Sequence, residues 1–483
     1  MSHVLASFLA LALFSGTGWA LTSLVPTLRG LPGAPRWGYG YLLGLAWTCI
    51  ALYALSHGLG VPLRLPAILA VATVPIVIAL LVRTRSPARQ RPRERSPWTR
   101  FLFVLAVSFA ALVSAALLAD AVASPESDWD GRMTWTMQAR WIREAGTVDP
   151  PVLREKRWFV SHPQYPVLMP LAQVVALEIQ GQADDDRAAR PLYAAFFPAL
   201  LSILYAACRR WLGRRTACWV LLVAANLPLL SFEGEGGARS SYGDLPLACF
   251  YGAGLLLLLF RPRLPEGLAA GLLLAAAVLT KNEGLPLCLA ALGVGAWSAF
   301  LRVRRQPWMR AAAPVVLAAL AAAAAIGLLH SWRSHIPNRE DEMYLARFSL
   351  RRLAATFLPQ ARIAIPLAVD RMLAREQWGL FWPLALILAV LGGRGLRRPP
   401  ALRLAIAAAA PLAVGLLAYT FHPDPAYMVQ VTWNRMLLHA ALPLLLLLGA
   451  CLRRARHPKG APAGPPSSGR RPLGVQISGG APP

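Results

Sequence analysis

Acidic residues are scarce in this chain: 23 Asp and Glu stand against 49 Lys and Arg in 483 residues. Ten of the 23 fall between Glu126 and Asp186. Cysteine is also sparse. Cys49, Cys208, Cys218, Cys249, Cys288 and Cys451 form no C-x-x-C pair, and none lies in the acidic segment. That excludes a disulfide framework and a thiolate zinc site, and leaves the cysteines as small apolar residues in helices. No H-E-x-x-H motif occurs. The first apolar run has no basic stretch before it and no clear cleavage site, so it reads as a retained helix rather than a signal peptide. Charge is low throughout, at 15% of residues, against 56% hydrophobic residues and a mean hydropathy of +0.48.

That balance is too apolar for an ordinary soluble domain. Runs such as Leu245–Phe260 and Leu437–Leu448 recur along the chain. A span needs about 20 apolar residues. Candidates lie near 4–24, 38–58, 62–82, 101–123, 191–207, 216–232, 245–260, 264–280, 284–301, 311–330, 377–393, 401–421 and 435–452. The expected fold class is therefore all-α, a polytopic membrane protein with about 13 transmembrane helices.

The net charge of +26 is spread over short loops. Arg83, Arg85, Arg89, Arg91, Arg93, Arg95 and Arg100 form one cluster. The others centre on Arg209–Arg215, Arg302–Arg310 and Arg394–Arg403. They separate alternate spans, as cytoplasmic loops do, which argues for a lipid bilayer as partner and against nucleic acid. With these loops inside, the segment 124–190 lies outside, together with the loops 233–244, 280–284, 331–376 and 421–435. Tyr165–Ile179 is short and rich in proline at its start, so it reads as a juxtamembrane or re-entrant helix on that outer side. Arg347, Arg351 and Arg352 alternate with Leu345, Phe348 and Leu353, which suggests an interfacial amphipathic helix. Residues 1–100 read as three leading helices with a basic loop. Residues 101–453 read as the core, and 454–483 as a disordered basic tail rich in Pro and Gly.

Four patches fall on the outer face in order: DWDGRMTWTMQARWIREAG from Asp128, SHPQYPVLMPL from Ser161, SYGDLPLACF from Ser241, and LTKNEG from Leu279. A closing Asn434-Arg435-Met436-Leu437-Leu438 precedes the last apolar run. This order resembles the GT-C superfamily of integral-membrane glycosyltransferases, in particular the protein O-mannosyltransferase and aminoarabinose-transferase branch. The resemblance runs from about Asp128 to Leu448, and the three leading spans are additional to it.

The resemblance implies an inner-membrane enzyme that takes a sugar from a polyprenyl-phosphate donor. It would pass the sugar, with inversion, to an extracytoplasmic acceptor on protein, lipid or glycan. A hydroxyl acceptor is a poor nucleophile at neutral pH and needs a base. The family's first-loop Asp corresponds to Asp130, with Asp128 its nearby substitute. In an extended chain the two point the same way; in a helix they diverge, and only Asp130 would aim inward. Arg132, Lys281 and Arg435 are candidates to hold the departing phosphate, since guanidinium and ammonium groups suit its oxygens. Asp244 matches the second acidic position, and either orients the acceptor or holds a divalent metal ion with His162. Asn282 and Glu283 suit a cap for the span opening at Gly284. Trp129, Trp135, Trp141 and Trp158 suit either sugar stacking or anchoring at the membrane interface. The competing function is a transporter or flippase of lipid-linked glycan precursors, which would show charged residues within helices and inverted repeats.

Overall fold

The computed structural model describes residues 1–82, 96–181, 185–232, 236–260, 262–304, 306–337, 349–392 and 399–455. Helices account for its regular structure, and no strand occurs among the described residues. The chain opens with α1 (His3–Leu24), α2 (Pro26–Arg29), α3 (Gly33–Leu59), α4 (Leu65–Val82) and α5 (Pro97–Ala123). The acidic segment carries α6 (Met137–Ala145) and α7 (Leu168–Gln180). Then come α8 (Arg190–Ala194), α9 (Phe196–Leu212), α10 (Arg214–Ala225), α11 (Asp244–Leu259), α12 (Leu264–Thr280), α13 (Gly284–Val303) and α14 (Trp308–Arg333). The last part holds α15 (Leu350–Leu373), α16 (Arg375–Trp378), α17 (Phe381–Gly392), α18 (Pro399–Tyr419), α19 (Pro425–His439) and α20 (Ala441–Ala455).

Eight helices among the described residues are long and apolar enough to cross a membrane, or nine if the bent pair α19 and α20 counts as one. Large apolar side chains on α4 and α5 face outward, among them Val77, Leu80, Leu81, Phe101, Val104 and Leu112. Such surfaces belong in lipid, and the molecule is an integral membrane protein. The expected figure of about 13 is not confirmed among the described residues, where several of the expected spans are helices of fewer than 18 residues. α11 has 16 residues and α12 has 17, or roughly 24–26 Å of rise against a hydrocarbon core of about 30 Å. Both lie mainly inside the protein, packed against neighbouring helices, so no lipid dictates their length.

Burial also characterises 168–180. Only Glu178 and Ile179 in α7 escape full burial, and the helix packs on α1, α3 and α6. At 13 residues it is shorter than a span, as a juxtamembrane or re-entrant helix would be, and it is packed inside the protein. Of the residues behind the expected amphipathic helix, Leu345, Arg347 and Phe348 lie outside the described residues, while Arg351 is exposed at the start of α15. α15 turns Ala361, Ala364 and Ala368 inward and Leu358, Ile363, Ile365 and Val369 outward. Its exposed side also carries Arg351, Arg362 and Asp370, so apolar and charged residues share that face.

Two local features position the rest. α1 and α3 meet backbone to backbone: a Cβ on Gly44 would stand 1.8 Å from the Phe14 carbonyl oxygen. α19 and α20 are bent by 63° across Ala440. Pro443 lies four residues beyond His439 and has no N–H to offer its carbonyl, which breaks the helix there.

Candidate functional site

Asp244 is the first residue of α11, where a helix N-terminus favours a carboxylate. Its side chain is fully buried. Three side chains from two other helices close on it. Lys281, which caps the C-terminus of α12, places Nζ 2.7 Å from Oδ1. His439 Nε2 stands 3.0 Å from the same oxygen, and Arg435 Nε donates to Oδ2 at 3.0 Å. Arg435 and His439 are one turn apart on α19, so both reach the same carboxylate. Lys281 also pairs with Glu283 at 3.3 Å.

Arg435 links this buried knot to the acidic segment. Its Nη2 lies 2.7 Å from Asp130 Oδ2. Its guanidinium sits 4.7 Å from the centre of the Tyr242 ring. The backbone N–H of Asp130 donates to the Tyr242 hydroxyl at 3.5 Å. Burial, then the neighbouring Asp130 carboxylate, pushes the Tyr242 phenol well up, so it stays protonated. Behind it, Trp135 is buried against Gly243, where a Cβ would come within 3.1 Å of the indole. Asp130 enters a π-helix, Gly131–Thr136, that leads into α6. Such wide turns are rare and concentrate at functional sites.

Asp130, Asp244, Lys281 and Arg435, named from four separate stretches of sequence, therefore meet. Their charges largely cancel. The carboxylates of Asp130, Asp244 and Glu283 face Lys281, Arg435 and whatever charge His439 carries. Two of the three cations expected to hold a phosphate, Lys281 and Arg435, are already engaged by carboxylates.

Asp128 goes elsewhere. The backbone is helical from Trp129, and Asp128 lines a polar cavity of about 160 Å³ with Asp120, Ser124, Pro125, Ser127, Arg190 and Arg239. Arg190 is buried beneath it and donates to the carbonyls of Ser124 at 2.7 Å and Arg239 at 2.9 Å. Burial and the nearby Glu126 carboxylate push the Asp128 carboxyl up to about 6.

The remaining expected residues are scattered. Arg132 has an exposed side chain. His162 has a positive φ of 47° and stacks on Tyr165 with ring centres 4.9 Å apart. A divalent ion shared by His162 and Asp244 does not fit, since both Asp244 oxygens take donors from Lys281, Arg435 and His439. Among the described residues no group of three or more His, Cys, Asp or Glu is placed to hold a metal. Asn282 and Glu283 do not cap α13 through their side chains: Asn282 Oδ1 accepts from Arg333, and Glu283 pairs with Lys281. The tryptophans divide: Trp129 is exposed, Trp135 is core, and Trp141 meets Trp158 edge to face at 5.3 Å. All six cysteines are free and buried.

Sequence reasoning missed His439, Tyr242 and Arg190. The i, i+4 spacing from Arg435 would have found His439. Nothing local marks Arg190, whose partners lie about 50 to 70 residues away. No family model, no curated protein and no solved structure matches this chain.

Proposed function

We propose that the chain is a membrane glycosyltransferase that moves a sugar from a polyprenyl-phosphate donor to an acceptor hydroxyl, with Asp130 as base. The observation that carries this reading is the meeting of Asp130 with Arg435 and Asp244. These positions come from separate patches that resemble GT-C enzymes in their order, and they form one connected cluster.

The geometry suggests how donor and base would be coupled. Arg435 has an anchoring bond to Asp244 and a second, outward bond to Asp130. An arriving phosphate competes with Asp130 for the guanidinium, because a bidentate fork suits phosphate oxygens. Displaced, Asp130 becomes a free carboxylate beside the donor. It then takes the acceptor proton as the hydroxyl attacks the sugar carbon and the polyprenyl phosphate leaves. Tyr242, kept protonated, stays beneath the guanidinium and holds its plane.

A carrier of lipid-linked precursors is the second reading. The observation favouring it is the 63° break of α19 and α20, with Arg435 and His439 in the last turns before it. Broken helices bearing charge mark transport sites. The test is transfer of radiolabelled sugar from polyprenyl-phosphate donors by purified protein in nanodiscs, wild type against Asp130→Asn. Turnover lost only in the variant supports the enzyme. Movement of lipid across the bilayer without turnover of any donor supports the carrier.

A further inference from the structure

Three side chains outside the Asp244 cluster meet where α3, α14 and the turn after α6 come together. His57 lies in the last turn of α3, Asp149 follows α6, and Ser331 lies in the last turn of α14. Asp149 Oδ2 stands 2.8 Å from His57 Nδ1, and Ser331 Oγ stands 3.0 Å from His57 Nε2. A carboxylate on Nδ1 keeps the proton on that nitrogen and turns a bare Nε2 toward the hydroxyl. A serine in this position loses its proton to the imidazole as it attacks, which turns a weak hydroxyl into a nucleophile.

The residues next in sequence hold the arrangement. The N–H of Val148, beside Asp149, donates to Oγ of Ser56, beside His57, at 3.2 Å. The carbonyl of Val148 accepts from the indole of Trp332, beside Ser331, at 2.9 Å. These two bonds already fasten the turn to both helices, so the His57 bonds are not needed as a clamp. The Tyr53 ring packs 6.1 Å from His57 and edge-on to Trp332 at 6.3 Å. His57 is mostly covered while Ser331 is exposed, so the base is shielded and the hydroxyl is open to a reactant.

We infer that Ser331 is a nucleophile toward activated esters, an acyl-transfer centre independent of the glycosyl-transfer reading. Oγ bonds to the ester carbonyl carbon and its proton passes to Nε2. The carbon–oxygen bond to the alcohol breaks, and the alkoxide leaves with that proton. Water then releases the acid by the same route with His57 again as base. The backbone N–H groups of Ser334, His335 and Ile336 all donate to carbonyls within their own turn. They offer no oxyanion pocket, and one such donor is worth roughly 10²–10³ in rate. Ser331 is therefore slow, and selective for electrophiles with good leaving groups.

The test is labelling of the full chain in nanodiscs with a fluorophosphonate, followed by peptide mass mapping. Oγ bonds to phosphorus, fluoride leaves, and the proton moves to Nε2. The expected result is an adduct on Ser331, with the rate falling about 10²–10⁴-fold in His57→Gln. The rate also falls in Asp149→Asn and is unchanged in Ser334→Ala. An unmodified Ser331 in wild type, after an exposure about 10³ times longer than a control serine hydrolase needs, overturns the inference without any variant having to fold. So does an adduct that forms at the wild-type rate in His57→Gln.

Discussion

Replacing Asp130 with Asn separates donor binding from chemistry, because the same carboxylate is asked to do two opposed things. In the resting molecule it pairs with Arg435 at 2.7 Å, with side-chain exposures of 27% for Asp130 and 12% for Arg435. A charge-assisted hydrogen bond contributes about 1.5–3 kcal/mol and a fully exposed pair about 0–1 kcal/mol. A pair of this intermediate exposure contributes on the order of 1–2 kcal/mol. A donor phosphate must displace that interaction to reach the guanidinium. Asp130→Asn removes most of the competition, so the affinity for a sugar-free polyprenyl phosphate should rise by about 5–30-fold. Sugar transfer should fall by about 10²–10⁴-fold, since the base is gone. The assay is equilibrium binding in nanodiscs beside single-turnover transfer on the same preparation. Binding that weakens or stays the same in Asp130→Asn would refute the displacement argument, whatever happens to the rate.

Other outcomes follow from the same geometry. Asp244→Asn leaves Lys281 and Arg435 buried without their shared counterion, so it should cost ~3–5 kcal/mol and lower the thermal midpoint in detergent by several degrees. Asp128 titrates near 6, above the ordinary aspartate value of about 4, so folding favours its protonated form. That contribution is present at low pH and lost as pH rises through about 6. Asp128→Asn should therefore raise the thermal midpoint relative to wild type at pH 8 more than at pH 5. Gly44→Ala drives a methyl group into the Phe14 carbonyl and should abolish monodisperse protein on size exclusion. Gly16→Ala, with nothing within 4 Å, should be neutral or add up to about 1 kcal/mol.

The parts of the fold written in long apolar runs were legible before the structure. α1, α3, α5, α13, α14 and α18 are among them. Span counting was less sure where a helix has protein around it. α11 and α12 are as apolar as spans but shorter, and both are largely buried against other helices. Within the site, Asp130, Asp244, Lys281 and Arg435 stood out because charge is scarce beside apolar runs. Their partner choice was not legible: the pairing of Arg435 with both Asp130 and Asp244 depends on three elements meeting. Asp128 and Asp130 look interchangeable as letters. The backbone turns helical at Trp129 and sends them to different neighbours, one to Arg435 and the other to the cavity over Arg190.

The break at Ala440 decides which parts of the cluster travel together. Arg435 and His439 ride on one short rod, α19, whose continuation as a straight helix is cut by Pro443. Asp244 and Lys281 belong to α11 and α12, which pack closely on each other. The bonds of Asp244 therefore join two groups of helices, with Lys281 on its own side and Arg435 and His439 on the other. Asp244 thus ties α19, through Arg435 and His439, to the α11–α12 pair, through Lys281. Through that one buried carboxylate, residues about 200 positions apart in the chain are tied into a single cross-link between three helices.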